Sequence, residues 1–165
     1  MMTWQLKNPA FRQAIHVVVD RMAGRCALAG TVGVQIHLAA AVGLDKLGPP
    51  AHAIEVVSFG GAPVPERVGA VPAEPVDALG FEASVEAGRS LVTVDGERFP
   101  VAAPEHILGM RLATPEFPPD ASWACFVLMR TLEGRLDLEE VRGFLKRCPQ
   151  VDRQSLLAEL AYLAA

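Results

Sequence analysis

The sequence has 165 residues, of which 51% are hydrophobic and 21% are charged, and its formal net charge at pH 7 is -4. This length fits one domain with a single core, and the composition excludes an intrinsically disordered chain. The negative net charge gives no general attraction to phosphate backbones or anionic lipids. The 15 lysine and arginine residues are scattered, so nucleic-acid binding is not expected without a local basic patch.

The cysteines and the apolar segments indicate an intracellular protein. Cys26, Cys125 and Cys148 are odd in number and far apart, which favours buried thiols in a reducing compartment over a disulfide framework or a metal site. The first residues are too short and too mixed in character for a signal peptide. The longest uncharged apolar stretch, 26–44, contains polar residues and several glycines, so we expect no membrane span and a cytoplasmic location.

The first part of the chain predicts alternating helices and strands. Asn8 followed by Pro9 is typical of a helix start, since asparagine caps the helix and proline is harmless at its first position. Apolar residues then recur at helical spacing. A short buried strand at 26–29, a helix at 31–42 and a largely buried strand at 53–59 follow.

The second part predicts a hairpin and then helices. The proline-rich region 60–77 indicates a loop with at most one short helix, and the alternation at 81–86 predicts a strand. Asp95-Gly96 predicts a two-residue turn between strands, because both residues tolerate positive φ. From Pro104 the pattern is helical, with an interruption at 114–119. The remaining predicted features are a helix that Asp120 caps and Gly134 ends, a capped helix from Asp137 with Glu140, and a last helix at 152–164.

This order of elements predicts a single α+β domain without internal repeats. We expect a small mixed β-sheet flanked by helices in about residues 1–102, and a helical part in about residues 103–165.

Three segments in order resemble a known family. Residues 30–37 read Gly-Thr-Val-Gly-Val-Gln-Ile-His, Ala53-Ile54-Glu55 begins sixteen residues after His37, and residues 101–112 lead into the helical part. This arrangement resembles the minimal nucleotidyltransferases of the DNA polymerase β-like superfamily, in the abortive-infection and toxin branch. The resemblance extends over about residues 11–145. It implies a nucleotidyltransferase-like fold and a place in defence or toxin–antitoxin systems.

The resemblance also implies a metal site whose carboxylates are incomplete. The family places two aspartates, two residues apart on a strand, where they hold Mg²⁺ on one face. Here Ala53 offers no ligand, and Glu55 keeps the charge with an extra methylene. A displacement of ~1 Å can cost about 100-fold in rate. Glu82 or Glu86 is the candidate for the third carboxylate, and the sequence does not choose between them.

Other family positions concern the nucleotide. Thr31 stands where the family holds the phosphates, and Arg111 stands where a lysine is common. Gly30 serves the tight turn from strand to helix, where phosphate contact is also possible. His37 matches the signature, yet a hydrogen-bonded packing role suits a histidine on an apolar helix better than catalysis. For Glu55 the competing interpretation is a glutamate on an edge strand that faces water and pairs with Arg111.

We therefore expect a nucleotidyltransferase-fold protein with a degenerate metal site that binds a nucleotide or a partner without catalysis. The partner could be another protein or a second copy of the chain. The alternative is an active Mg²⁺-dependent nucleotidyltransferase that uses Glu55 with Glu82 or Glu86. Mg²⁺ and a nucleoside triphosphate are expected only in that case.

Overall fold

The structure is a computed structural model that describes residues 2–45, 48, 50–113 and 119–147, and only the backbone of residues 119–123 and 126. The elements in chain order are α1 (Pro9–Arg21), β1 (Cys26–Leu28), α2 (Gly30–Val42), β2 (Ile54–Ser58), β3 (Arg67–Val68), β4 (Val71–Pro75), α3 (Glu82–Gly88), β5 (Ser90–Val94), β6 (Glu97–Val101), α4 (Pro104–Ala113), α5 (Pro119–Thr131) and α6 (Leu138–Lys146). The predicted α+β class is confirmed. The expected last helix at 152–164 lies outside the described residues.

One mixed sheet with the strand order β3-β4-β2-β1-β6-β5 organises the described chain. The two central strands, β1 and β2, are antiparallel, with Leu28 opposite Val56. β6 runs parallel to β1, and Leu28 is also in register with Val101. β1 is buried along its whole length, because it has a strand on each side and side chains packed on both faces. The end of β1 therefore leads directly from the sheet centre into α2.

Local sequence signals set the first helix and the hairpin as predicted. The Asn8 side chain accepts a hydrogen bond from the backbone N–H of Ala10 at 2.9 Å, which caps α1. Asp95 and Gly96 both have positive φ, 50° and 80°, and join β5 to β6. The hairpin contacts α1 at Glu97 of β6, whose carboxylate accepts a hydrogen bond from Arg12 of α1 at 2.7 Å.

A buried amide holds the N-terminal segment against α2. Gln35 is fully buried. Its Oε1 accepts a hydrogen bond from the Leu6 N–H at 2.9 Å, and its Nε2 donates to the Trp4 carbonyl at 3.2 Å. A buried amide without such bonds would destabilise the fold. Trp4 also pairs with Ala51 in an isolated β-bridge, which is a second contact of the same N-terminal segment.

The helices α4 and α6, which follow the sheet in the chain, pack closely against each other. α6 begins at Asp137, whose side chain accepts from the Glu140 N–H at 3.2 Å, as the capping pattern predicts. α4 and α6 approach closely at Gly109, where an added Cβ would lie 2.7 Å from the Phe144 ring. A methyl group there would force the two helices apart. In the described part of the chain, no helix is both long and apolar enough to cross a membrane.

The predicted strand at 81–86 is wrong, because Glu82–Gly88 forms the helix α3. Phe81 and Val85 are four residues apart, and the Val85 N–H donates to the Phe81 carbonyl at 3.0 Å. A run this short satisfies both alternation and helical spacing, so periodicity alone does not separate the two. Val85 is buried, whereas Glu82 and Glu86 are exposed.

The predicted loop at 60–77 is also wrong, because it contains β3 and β4. The prolines of this region argue for a loop, since proline cannot donate to a strand ladder. β4 nevertheless includes Pro72 and Pro75 and pairs in parallel with β2. The Val76 N–H, just after Pro75, donates to the Val56 carbonyl at 2.7 Å and so extends the contact between these strands.

Candidate functional site

The start of β2 and the start of α2 meet at Glu55. The Ala29 N–H donates to the Glu55 carbonyl at 2.9 Å, which holds the two segments side by side. The Glu55 side chain then accepts a hydrogen bond at Oε1 from the Thr31 N–H, also at 2.9 Å. The first backbone N–H groups of a helix have no partner within the helix and form its positive end. Glu55 thus caps α2 with a carboxyl group supplied by the neighbouring strand.

Gly30 makes this contact possible. Its φ is +56°, and a Cβ added there would lie 2.0 Å from Glu55 Oε2. A side chain at residue 30 would therefore suffer both backbone strain and overlap with the carboxyl group. The glycine of the family signature, expected to approach a phosphate, here lies against a carboxyl group of the same chain.

Burial governs the ionisation of Glu55. It raises the pKa of the carboxyl to about 7, and the negative charge of Glu74 acts in the same direction. The N–H groups of Thr31 and Val32 and the nearby His52 oppose this rise and lower the pKa, but the effect of burial is larger. Glu55 consequently changes its charge near neutral pH, where an ordinary glutamate is fully ionised.

The interpretation of Glu55 as a water-facing residue on an edge strand is wrong. β2 is an inner strand between β4 and β1, and the carboxyl is directed at the helix start. Arg111, which the same interpretation pairs with Glu55, is buried on α4.

A cleft in front of Glu55 brings several predicted residues together. Gly30, Thr31, Glu55 and Arg111 all line it, although they are distant in the sequence. The remaining lining side chains are apolar or sulfur-containing: Val34, Val76, Ile107, Met110, Ala124 and Cys125. The cleft volume is about 30 Å³, whereas a cavity that holds benzene has about 150 Å³. The cleft is therefore much smaller than a cavity that holds one aromatic ring.

The predicted third carboxylates do not join this group. Glu82 and Glu86 lie exposed on α3, and neither lines the cleft. The C-cap of the same helix, Arg89, donates to the carbonyls of Gly24 and Cys26 at 3.0 Å. Those carbonyls mark the beginning of β1, opposite the end where Glu55 lies.

Glu74 is the carboxylate that the sequence analysis missed. It is on β4 in direct register with Glu55 across the parallel pair, and it is exposed. Successive side chains alternate between the two faces of a strand, so register partners such as Glu55 and Glu74 share one face. In β4 the buried residues Val71 and Ala73 alternate with exposed or half-buried ones, but the prolines hide this pattern in the sequence. Glu74 could be found only by first recognising β4 as a strand.

These residues do not fit the Mg²⁺ site that the resemblance implies. Mg²⁺ requires near-octahedral oxygen ligands, which one or two carboxylates supply together with waters and substrate phosphates. Ala53 supplies none, one Glu55 oxygen is engaged by α2, and its raised pKa weakens its charge at neutral pH. Among the described residues, no three histidine, cysteine, aspartate or glutamate side chains form a group suited to a metal ion.

His37 is placed as a packing residue. Its Nε2 lies 2.8 Å from the carbonyl of Ala102 and donates to it. Burial lowers the pKa of the imidazole, against the smaller opposing effects of the Ala102 carbonyl and Glu105. The neutral ring joins α2 to the end of β6.

The buried thiols should be chemically inert. Cys26 and Cys125 are both buried, and burial raises the pKa of Cys26 to about 11 despite the opposing charge of Arg89. The thiolate is the reactive form, so we expect alkylation of Cys26 by iodoacetamide at pH 8 to be at least about 100-fold slower than that of an exposed cysteine. Peptide mass spectrometry would measure this, with the protein in guanidinium as the fully labelled control. Rapid labelling of Cys26 in the native protein would contradict the prediction.

Comparison with known proteins does not place the chain in a family. No family model matches the sequence, and no curated protein matches it.

Proposed function

We propose that this chain is a non-catalytic protein with a nucleotidyltransferase-like fold that acts by binding a partner. The observation that carries the proposal is the hydrogen bond from the Thr31 N–H to Glu55 Oε1 at 2.9 Å. In an enzyme of this kind the start of α2 would face the phosphates of the substrate. Here a carboxyl group of the protein takes that position.

Electrostatics and size both support the absence of triphosphate binding. An ionised Glu55 would repel a phosphate at the helix start, and a protonated Glu55 would still occupy the same space beside Gly30. The small volume of the cleft, about 30 Å³, also argues against a bound base and ribose. A nucleotide would bind only after Glu55 rotates away from Thr31 and the walls separate.

A partner protein is the better candidate because the net charge of -4 does not favour nucleic acid. The rigid sheet and the capped α2 would then serve as the framework of a binding domain.

Calorimetric titration with ATP, GTP, CTP and UTP, each with Mg²⁺ and with Mn²⁺, tests the proposal. We expect no saturable heat at 200–500 µM protein, a concentration on the order of what millimolar affinities require. The matched variants are Glu55→Ala, which removes the cap, and Glu86→Ala, which changes an exposed glutamate on α3. Metal-dependent binding that is lost in Glu55→Ala and kept in Glu86→Ala would overturn the proposal.

One observation favours a second candidate, an active nucleotidyltransferase with a rearranged site. Glu74 is in register with Glu55 on the neighbouring strand, and Glu55 lines the cleft, so a rearranged metal-bound state would use this pair in place of Glu82 or Glu86. Under this alternative, incorporation of label from a radioactive nucleotide into an acceptor would require both Glu55 and Glu74. Label transfer that survives Glu82→Ala and Glu86→Ala but not Glu74→Ala would support it.

A further inference from the structure

The outer edge of β5 is unusually exposed for a strand of its composition. Its five residues, Ser90–Val94, include neither a charged residue nor a proline. In the part of the chain that the structure describes, β6 is its only neighbouring strand. Among the large hydrophobic side chains that the structure describes, Leu91 is the most exposed, at 64%. Natural proteins usually protect such edges with charges, prolines or very short strands.

The opposite edge of the same sheet has this protection. β3 has only two residues, Arg67 and Val68, and the first carries a charge. Pro63 and Pro65 precede it, and neither can donate a backbone hydrogen bond to an added strand. The two edges therefore differ: β3 discourages strand addition and β5 permits it.

The hairpin geometry shows which backbone groups of β5 are available. In a two-residue hairpin, the residues next to the turn exchange hydrogen bonds, and every second pair does the same. Val94 pairs with Glu97 and Val92 with Phe99, so these β5 residues bond inward to β6. Leu91 and Thr93 alternate with them, and their N–H and C=O groups point outward. The position of Pro100 opposite Leu91 agrees with this pattern, because a non-bonded pair needs no proline N–H.

We propose that β5 pairs with β5 of a second copy of this chain, antiparallel about a two-fold axis at Val92. This register uses all five residues and places Leu91 opposite Thr93 of the second copy, so that the outward groups of both strands are satisfied. The same patch is used twice, as in most symmetric dimers. The two six-stranded sheets become one continuous sheet, and Leu91 is covered.

Charge complementarity supports a second copy as the occupant. In this register Arg89, just before β5, is opposite Asp95 of the second copy, just after β5. At each end of the paired strands, chain positions of opposite charge are thus adjacent. The Arg89 guanidinium is held by the carbonyls of Gly24 and Cys26, so the attraction acts across some distance and selects the register more than it adds affinity.

Sedimentation velocity from 1 to 100 µM, a range on the order of typical weak-dimer affinities, tests this pairing with two variants of one residue. Thr93→Pro removes an outward N–H and leaves the inward bonds to β6 in place, so it should convert the dimer to a monomer. Thr93→Val keeps the strand and should remain dimeric. Thermal unfolding of both variants checks that the fold is kept. A wild-type protein that stays monomeric at 100 µM would overturn the proposal, and so would a dimer unaffected by Thr93→Pro in the folded protein.

Disulfide trapping tests the register separately. The two-fold axis brings Val92 of the two copies together as a cross-strand pair with Cβ atoms about 4.5–5.5 Å apart. In a Cys148→Ser background, Val92→Cys should form a covalent dimer on mild oxidation, read on a non-reducing gel. Val42→Cys, at a residue 44% exposed at the end of α2, is the control and should not. Equal cross-linking of the two variants, or none of Val92→Cys, would overturn the proposed register.

Discussion

Replacing Gly30 with alanine should lower the free energy of unfolding by about 3 kcal/mol. The left-handed φ of +56° costs an alanine about 1 kcal/mol. In addition, the new Cβ would lie 2.0 Å from Glu55 Oε2, so the carboxyl must leave the helix start. The Thr31 N–H that it leaves belongs to a buried residue, and an unsatisfied buried donor costs about 1–3 kcal/mol. Chemical denaturation at pH 7 measures the change.

Gly24 provides the matched control for this substitution. Its φ is +71°, and an added Cβ would meet nothing within 4 Å, so Gly24→Ala should cost only the backbone strain of about 1 kcal/mol. In a Glu55→Ala background, Gly30→Ala should fall to the same value, because the overlapping group is gone. Equal costs for Gly30→Ala and Gly24→Ala in the wild-type protein would show that Glu55 does not occupy the helix start.

Glu55 should make the stability of the protein decrease as the pH rises towards neutrality. Its folded-state pKa of about 7 lies above the ordinary glutamate pKa of 4.5. Between these values the folded state binds a proton that the unfolded state has released. The stabilisation is therefore complete below about pH 4.5 and is lost as the pH rises to 7. The shift corresponds to about 3 kcal/mol.

Glu55→Gln removes this titration but keeps an oxygen that can accept from Thr31. We expect the variant to gain about 2–3 kcal/mol relative to the wild-type protein between pH 5 and pH 8, measured by denaturant unfolding at each pH. Glu86→Gln makes the same change at an exposed residue, and its free energy of unfolding should depend on pH as that of the wild type does. A Glu55→Gln curve that is also parallel to the wild type would contradict a raised pKa.

Elements with strong local signals were predictable from the sequence. Asn8-Pro9, Asp95-Gly96 and Asp137 each fix a cap or a turn through their own backbone preferences, and the structure has the expected features at all three. The order of the first helices and strands followed from apolar spacing. The meeting of Gly30, Thr31, Glu55 and Arg111 at one cleft followed from the motif order.

Features that depend on distant pairing were not predictable. β4 is a strand because β2 pairs with it, and its two prolines hide that pairing from any local pattern. The same error hid Glu74 and directed attention to Glu82 and Glu86, which lie on a helix. The capping role of Glu55 depends on how β2 lies against the start of α2, and no spacing within the sequence encodes that contact.

The pairing of Leu28 with Val101 affects how the chain folds while it is synthesised and how far it can be shortened. β1 leaves the ribosome early, but its second neighbour, β6, is made only after β2, β3, β4 and β5. Until then the inner strand of the sheet has one uncovered edge, and late pairing of this kind slows folding. A shortened version of the protein that ends before residue 101 therefore lacks the second neighbour of β1, and a nascent chain that stalls there presents an unfinished sheet to chaperones.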